Sequence, residues 1–279
     1  MKKYVLSFAF TAVYFFANAQ INMPAPSSTQ TIIQDFGMGK IELTYSRPSI
    51  KNRKYFEDNS DLAPIGKLWR TGANAATRLH FTDFVTIGGK DLDSGTYVLY
   101  TIPGINQWTI IINKGITNWG TDGYTETADV VRFTTPAYTI NTQPRESFTM
   151  QFGNIKPESC EMYLMWGKTV VVVPISTKIK DRLKTQIEKA LQTDKPPYWQ
   201  AANFYYDWDK NYVKALENVN KGIDGNPDAF YMYLLRAKIQ KEMGDNEKAK
   251  ASAEKCKELA TAAKNDDYVK QADKFLQGL

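Results

Sequence analysis

The stretch Thr169-Val170-Val171-Val172-Val173-Pro174-Ile175-Ser176-Thr177-Lys178-Ile179, continued by Leu183, Ile187 and Leu191, divides the chain in two. Before Pro174 apolar residues recur at every second position. After it, Ile175, Ile179, Leu183, Ile187 and Leu191 recur at every fourth, with Lys, Arg, Glu and Gln between them. The first period is that of a pleated strand and the second that of one helix face. The valine run closed by Pro174 predicts a last strand buried on both faces. The segment beyond predicts an amphipathic helix, which Lys195-Pro196-Pro197 ends as a stiff linker.

Upstream, residues 30–175 read as strands. Thr31–Phe36 and Lys40–Tyr45 flank Gly37-Met38-Gly39, a hairpin signal, with Ile41, Leu43 and Tyr45 on one face. Further strands are predicted at 78–87, 95–102, 107–113, 130–134, 147–152, 161–166 and 169–173, separated by turns such as Gly88-Gly89-Lys90, Pro103-Gly104 and Gly167-Lys168. Many short strands without intervening helices predict an antiparallel β-sandwich, with a barrel as the alternative.

Downstream, Asn211–Glu217 echoes Asp245–Ala251, and Ala215 and Ala249 stand one tetratricopeptide period of 34 residues apart. Trp199 and Tyr233 keep the same spacing. Asn226-Pro227-Asp228 separates the two units, and residues 266–276 are expected to form a capping helix. Asn203 departs from the pattern by standing where a small residue is usual. The fold class is therefore α+β and multidomain. It comprises a signal peptide (1–19), a β-sandwich (20–175), a linker helix with a Pro-rich linker (176–197) and a tetratricopeptide-like helical module (198–279).

The signal peptide rests on Lys2 and Lys3, an apolar run from Tyr4 to Phe16 and the A-x-A site Ala17-Asn18-Ala19. The run is shorter than the roughly 20 residues a spanning helix needs. The protein is thus expected to be exported, periplasmic or extracellular, without a transmembrane span. Its formal charge is +5, two units of which are Lys2 and Lys3. The remaining basic residues are interspersed with acidic ones, so no nucleic-acid footprint is expected. The two cysteines, Cys160 and Cys256, fall in different domains, and nothing in the sequence positions them to pair. The only histidine, His80, lies in an alternating strand segment. That excludes His-rich zinc or iron sites and any Ser-His-Asp or Cys-His mechanism that does not use His80.

The alternation stops between Ser46 and Thr77, where arginines stand beside aromatic and small residues. Arg47, Arg53 and Arg70 could converge on an anion through their planar donor forks. Equally, each could pin the loop to the sheet through a local acid or carbonyl. Trp69, Thr71 and Asn74 complete the candidate ligand-binding set, since the Thr71–Asn74 turn could present backbone amides to an anion and Asn74 could orient a sugar hydroxyl. Tyr97, Tyr100, Trp108, Trp119, Tyr124 and Tyr138 supply either a sugar-stacking row or alternating core residues. Asp122 and Glu126 match no calcium-loop spacing, so neither a metal nor a cofactor is expected. A glycosidase would need two carboxylates across a cleft, and no spacing selects a pair.

Several of these segments resemble the domain of unknown function 2911 family, over about Pro24 to Pro174. They are Arg47-Pro48-Ser49 with Arg53, Trp69–Asn74 with Thr77, Gly95-Thr96-Tyr97 with Pro103-Gly104, and Trp108–Asn113. The resemblance implies a β-rich domain of secreted bacterial proteins, some of which carry tetratricopeptide-like C-terminal helices. It implies no activity, substrate or catalytic residue. The expected function is that of a non-enzymatic envelope binding protein. It would hold an anionic or carbohydrate ligand near the arginine loops and a protein or peptide at the repeats. The alternatives are a hydrolase of an envelope polymer or ester, with Arg70 and Asn74 stabilising an anionic transition state, and a purely structural protein.

Overall fold

The computed structural model describes residues 23–279, so the signal-peptide segment lies outside the described residues. The β half contains β1 (Ser28–Phe36), β2 (Gly39–Arg47), β3 (Ala73–Phe81), β4 (Val85–Ile87), β5 (Lys90–Leu92), β6 (Gly95–Ile102), β7 (Gln107–Asn113), β8 (Asp129–Thr139), β9 (Arg145–Lys156), β10 (Ser159–Gly167) and β11 (Thr169–Ser176). All pairings between them are antiparallel.

The expected sandwich is corrected to a barrel-like sheet. Its hydrogen-bonded path runs β1-β2-β3-β6-β7-β8-β11-β10-β9, with the β4–β5 hairpin attached to β11. The path then returns on itself. Just past β2, Ser49 bridges Ser147 at the start of β9, Ile50 N donates to Glu146 O at 2.9 Å, and Phe148 N donates to Pro48 O at 2.8 Å. Alternation alone cannot distinguish the two architectures, because inward and outward residues alternate in both. What decides is the partner of the last strand, a contact far apart in sequence.

The inward residues fill the barrel. Ile41, Leu43, Leu79, Phe81, Leu99, Ile110, Ile112, Phe148, Met162, Leu164, Val171 and Val173 are all buried in one core. The segment after β2 plugs the end of the barrel with its aromatic side chains, while Lys51–Lys54 and Glu57–Asn59 stay exposed to solvent. Trp69 stacks on Trp166 at 5.8 Å and 10°, and Phe56 packs edge-on against Trp108 at 4.7 Å and Trp166 at 5.7 Å. Burial of each large ring contributes on the order of 1.5–3 kcal/mol, which anchors the loop at these points. Val172, in the valine run, is only half-buried, so β11 is not covered fully on both faces.

The helical half contains α1 (Lys180–Ala190), α2 (Tyr198–Asp207), α3 (Tyr212–Gly225), α4 (Phe230–Glu242), α5 (Asn246–Ala262) and α6 (Asp266–Gln277). From α2 onward each helix packs on the next in the chain. Ala215 and Ala249 are fully buried, where a larger side chain would separate the helices. Asn211 and Asp245 cap α3 and α5 in the same way, accepting from Lys214 N and Lys248 N. No helix among the described residues is long and apolar enough to cross a membrane.

Helix α1 joins the halves. Glu158 accepts from Ile179 N at 2.6 Å and Lys180 N at 3.1 Å, placing a carboxylate at the positive end of the helix. Arg182 grips both carboxylate oxygens of Asp83 and lies 5.2 Å from the centre of the Phe84 ring. On its other side Leu183, Ile187 and Leu191 pack into the helical core, and Lys180 and Lys184 each reach Asp209 at 3.3 Å.

Candidate functional site

The segment from Trp69 to Thr77 is tied into a closed knot. Trp69 pairs with Thr101 through both backbone bonds, at 2.8 and 3.0 Å. Its indole Nε1 donates to Gly72 O at 3.1 Å. The Thr77 hydroxyl donates to Thr71 O at 2.6 Å, and the Thr71 hydroxyl donates to Thr101 Oγ1 at 3.1 Å. The chain turns through Thr71 at φ 53° and Gly72 at φ 155°. A Cβ on Gly72 would lie 2.8 Å from Ser46 O, so the close approach of β2 requires glycine.

This knot breaks the β2–β3 register. Thr44 faces Arg78 and Ser46 faces Ala73, so Tyr45 alone stands opposite residues 74–77. The surplus residues form a β-bulge, with Ala76 and Thr77 buried. Asn74 adopts φ 58°, a left-handed conformation Asn tolerates, and its amide donates to Ser27 O at 3.1 Å.

The second wall is the β7–β8 connection, residues 114–128. Arg78 donates to Ile116 O at 2.9 Å, and Asn118 Nδ2 donates to the Tyr100 hydroxyl at 3.2 Å. Arg70 donates to Asn74 O at 2.9 Å, and its guanidinium lies so close to Gly120 (φ 64°) that a Cβ there would sit 2.8 Å from Nη1. The base of the loop is clamped. Asn113 donates to Asp129 Oδ1 at 2.7 Å, and Tyr124 donates to Asp129 Oδ2 at 2.9 Å. Arg132 in turn donates to the Tyr124 oxygen at 2.6 Å. Burial first, and then the Asp129 carboxylate, push the Tyr124 phenol up to about 12.

Between these walls lies a cleft of about 250 Å³, floored by Tyr45, Ser46, Ala75 and Ala76 and rimmed by Thr29, Thr44, Asn74, Arg78 and Trp119. Trp119 remains 65% exposed although its loop is fixed on both sides. Among the described residues, no carboxylate, histidine or thiol lines this cleft. Among the described residues no group of three or more His, Cys, Asp or Glu side chains is arranged to hold a metal ion.

The six sequence candidates separate. Asn74 reaches the cleft rim, with Arg70 immediately behind it. Arg47 lies across the barrel seam, donating to Phe148 O at 3.1 Å and Thr149 Oγ1 at 2.9 Å. Arg53 folds back on Ser49 O and Ile50 O. Trp69 is 4% and Thr71 0% exposed. The three arginines therefore do not converge. The site gains Thr29, Thr44 and Arg78, which the sequence reading did not select. Thr44 was visible there only as the outward phase of the Ile41/Leu43/Tyr45 alternation. Of the aromatic row, Tyr97, Tyr100 and Trp108 are buried, while Trp119 and Tyr138 are exposed.

Barrel-like antiparallel sheet, plugged by its own loop and carrying a cleft on its outer surface, followed by helical hairpins: these features define the class. Residues 27–175 match the family described as a protein of unknown function (DUF2911), and the chain belongs to that family. No curated protein and no solved structure matches it.

Proposed function

We propose that this chain is an exported, non-enzymatic binding protein of the cell envelope. Its β domain takes a carbohydrate group in the cleft beneath Trp119, and its tetratricopeptide-like helices contact protein. The observation that carries the reading is the Trp119 indole, exposed on a clamped loop beside an alanine floor. The apolar face of a sugar packs on such a ring. The Asn74 amide, the Thr29 and Thr44 hydroxyls and the Arg78 guanidinium offer hydrogen bonds to its hydroxyls, and Arg78 suits an acidic sugar. The cleft volume lies below the range of drug-sized pockets, which favours one ring over an extended polymer.

A lining without carboxylates supports binding over glycoside hydrolysis, which needs two. Export rests on the basic, apolar and A-x-A pattern of residues 1–19. The repeat reading rests on the 34-residue spacing of Ala215 and Ala249, both fully buried, and of the caps Asn211 and Asp245. Arg47, Arg53, Trp69 and Thr71 belong to the scaffold in this account.

The test is a panel of neutral and acidic glycans offered to the purified chain and to Trp119→Ala. The expected result is binding of a subset, lost in the variant at unchanged melting temperature, with every glycan recovered intact. Binding of none, or release of cleavage products, overturns the proposal.

A further inference from the structure

We infer that the groove between α4 and α6 docks an acidic peptide segment of a partner protein, with apolar side chains between its carboxylates. This deepens the protein-contact reading of the helical module and rests on it. The groove, of about 370 Å³, has Leu234 in its floor and Phe275 in its wall, and Lys238, Lys241 and Lys274 stand along it. Lys238 and Lys241 lie near one helix face, three positions apart, with Leu234 four positions before Lys238. Lys241 donates to Gly278 O at 2.6 Å and lies 5.5 Å from the centre of the Phe275 ring.

Charge separates this groove from its neighbour. The groove lined by α1, α2 and α3 also carries lysines, but Lys214 reaches Glu188 at 3.7 Å and Lys221 reaches Glu217 at 2.7 Å. Its charge is compensated within the chain. Among the described residues, none of Lys238, Lys241 and Lys274 lies within 4.0 Å of a carboxylate. The nearby Asp273 is engaged by Lys257, on α5, at 2.6 Å. Three ammonium groups without a nearby carboxylate, of which Lys241 is engaged by the Gly278 carbonyl and the Phe275 ring, repel a basic segment and leave a neutral one with unpaired charge beside it. They complement an acidic one. Phe275, only partly buried, gives that segment an apolar anchor, so that it is held by more than surface charge.

The experiment uses the full purified chain and three labelled synthetic peptides. In the first, Asp and Glu alternate with Leu and Phe. In the second, the acids are replaced by Asn and Gln, and in the third by Lys. Binding is followed by fluorescence anisotropy at low and high salt. The expected result is that the acidic peptide alone binds, that salt weakens it, and that Lys238→Glu/Lys274→Glu weakens it about tenfold or more with helical circular dichroism unchanged. Equal binding of the uncharged peptide, lost in Phe275→Ala, overturns the acidic specificity while leaving the module a peptide binder. Failure of all three peptides overturns both readings. Binding of the chain to phosphatidylglycerol vesicles in place of the acidic peptide overturns the inference in favour of a lipid surface.

Discussion

The Tyr45 hydroxyl accepts a 2.8 Å hydrogen bond from the backbone amide of Met150, 105 residues further along the chain. Tyr45 lies on β2 and Met150 on β9, so this one bond crosses the seam where the sheet closes. Burial raises the Tyr45 phenol above its ordinary value, and its hydroxyl also donates to Gln30 Oε1 at 2.9 Å. Tyr45→Phe keeps the ring against Phe148 but strands the buried Met150 amide. We expect a loss of about 1–3 kcal/mol in urea unfolding. An unchanged midpoint would mean that the seam is held without this bond.

The Asp83–Arg182 pair should make the docking of α1 sensitive to acid. Hydrogen bonding and charge from Arg182 hold the Asp83 carboxyl below its ordinary 3.8. A carboxylate depressed in the folded state stabilises it above the unfolded pKa, and the contribution is lost as pH falls through the folded pKa. The pair is partly exposed, at 38% and 21%, so its contribution is about 1 kcal/mol or less. Wild type should therefore melt above Asp83→Asn at neutral pH, with the two curves converging below pH 3.8. Parallel curves down to strong acid would contradict this.

Neither cysteine should react in the native protein. Cys160 and Cys256 are free and buried, in the β core and the helical core respectively. Desolvation pushes their thiols up to about 12 and about 11. The thiolate is the reactive form and is scarce at neutral pH. A thiol-reactive disulfide should label neither residue until guanidinium is added, and then both. Rapid labelling of either in the native state would contradict the burial.

Two glycines hold the walls of the cleft, and replacing them should have different effects. Gly72→Ala drives a methyl group against backbone, at Ser46 O, and should cost on the order of 1–3 kcal/mol. Gly120→Ala instead meets the movable end of the Arg70 side chain. It should cost about 1 kcal/mol and reduce ligand binding by displacing the Trp119 loop. Thermal melts of both variants and binding by the second check this. Equal melting losses would remove the distinction.

Much of the fold was legible before any coordinates. β6 and β7 match their predicted ranges, because alternation and the Pro103-Gly104 turn fix them locally. The predicted strand 78–87 is instead two strands, β3 and β4, broken at residues 82–84, where Asp83 turns to meet Arg182. That contact comes from α1, 99 residues further along the chain, and leaves no local trace. The barrel-like closure was hidden for the same reason, since Ser49 finds Ser147 only in three dimensions. At the site, Trp69 and Arg70 stood out as unusual residues, but unusual composition marked a folding knot. Asn74 and Trp119 came together because a bulge and a distant loop share one face of the sheet, a juxtaposition that no local pattern encodes.

The central claim is that Trp119, and not the buried Trp69, meets a ligand. The most direct measurement is the melting temperature of the wild type and of Trp119→Ala, each with and without saturating amounts of the glycan the panel selects. Ligand should raise the wild-type midpoint, by about 2.7 kcal/mol of added stability at a hundredfold excess over Kd. It should leave Trp119→Ala unmoved, at a ligand-free midpoint equal to that of the wild type. An equal ligand-induced shift in both proteins would contradict the account.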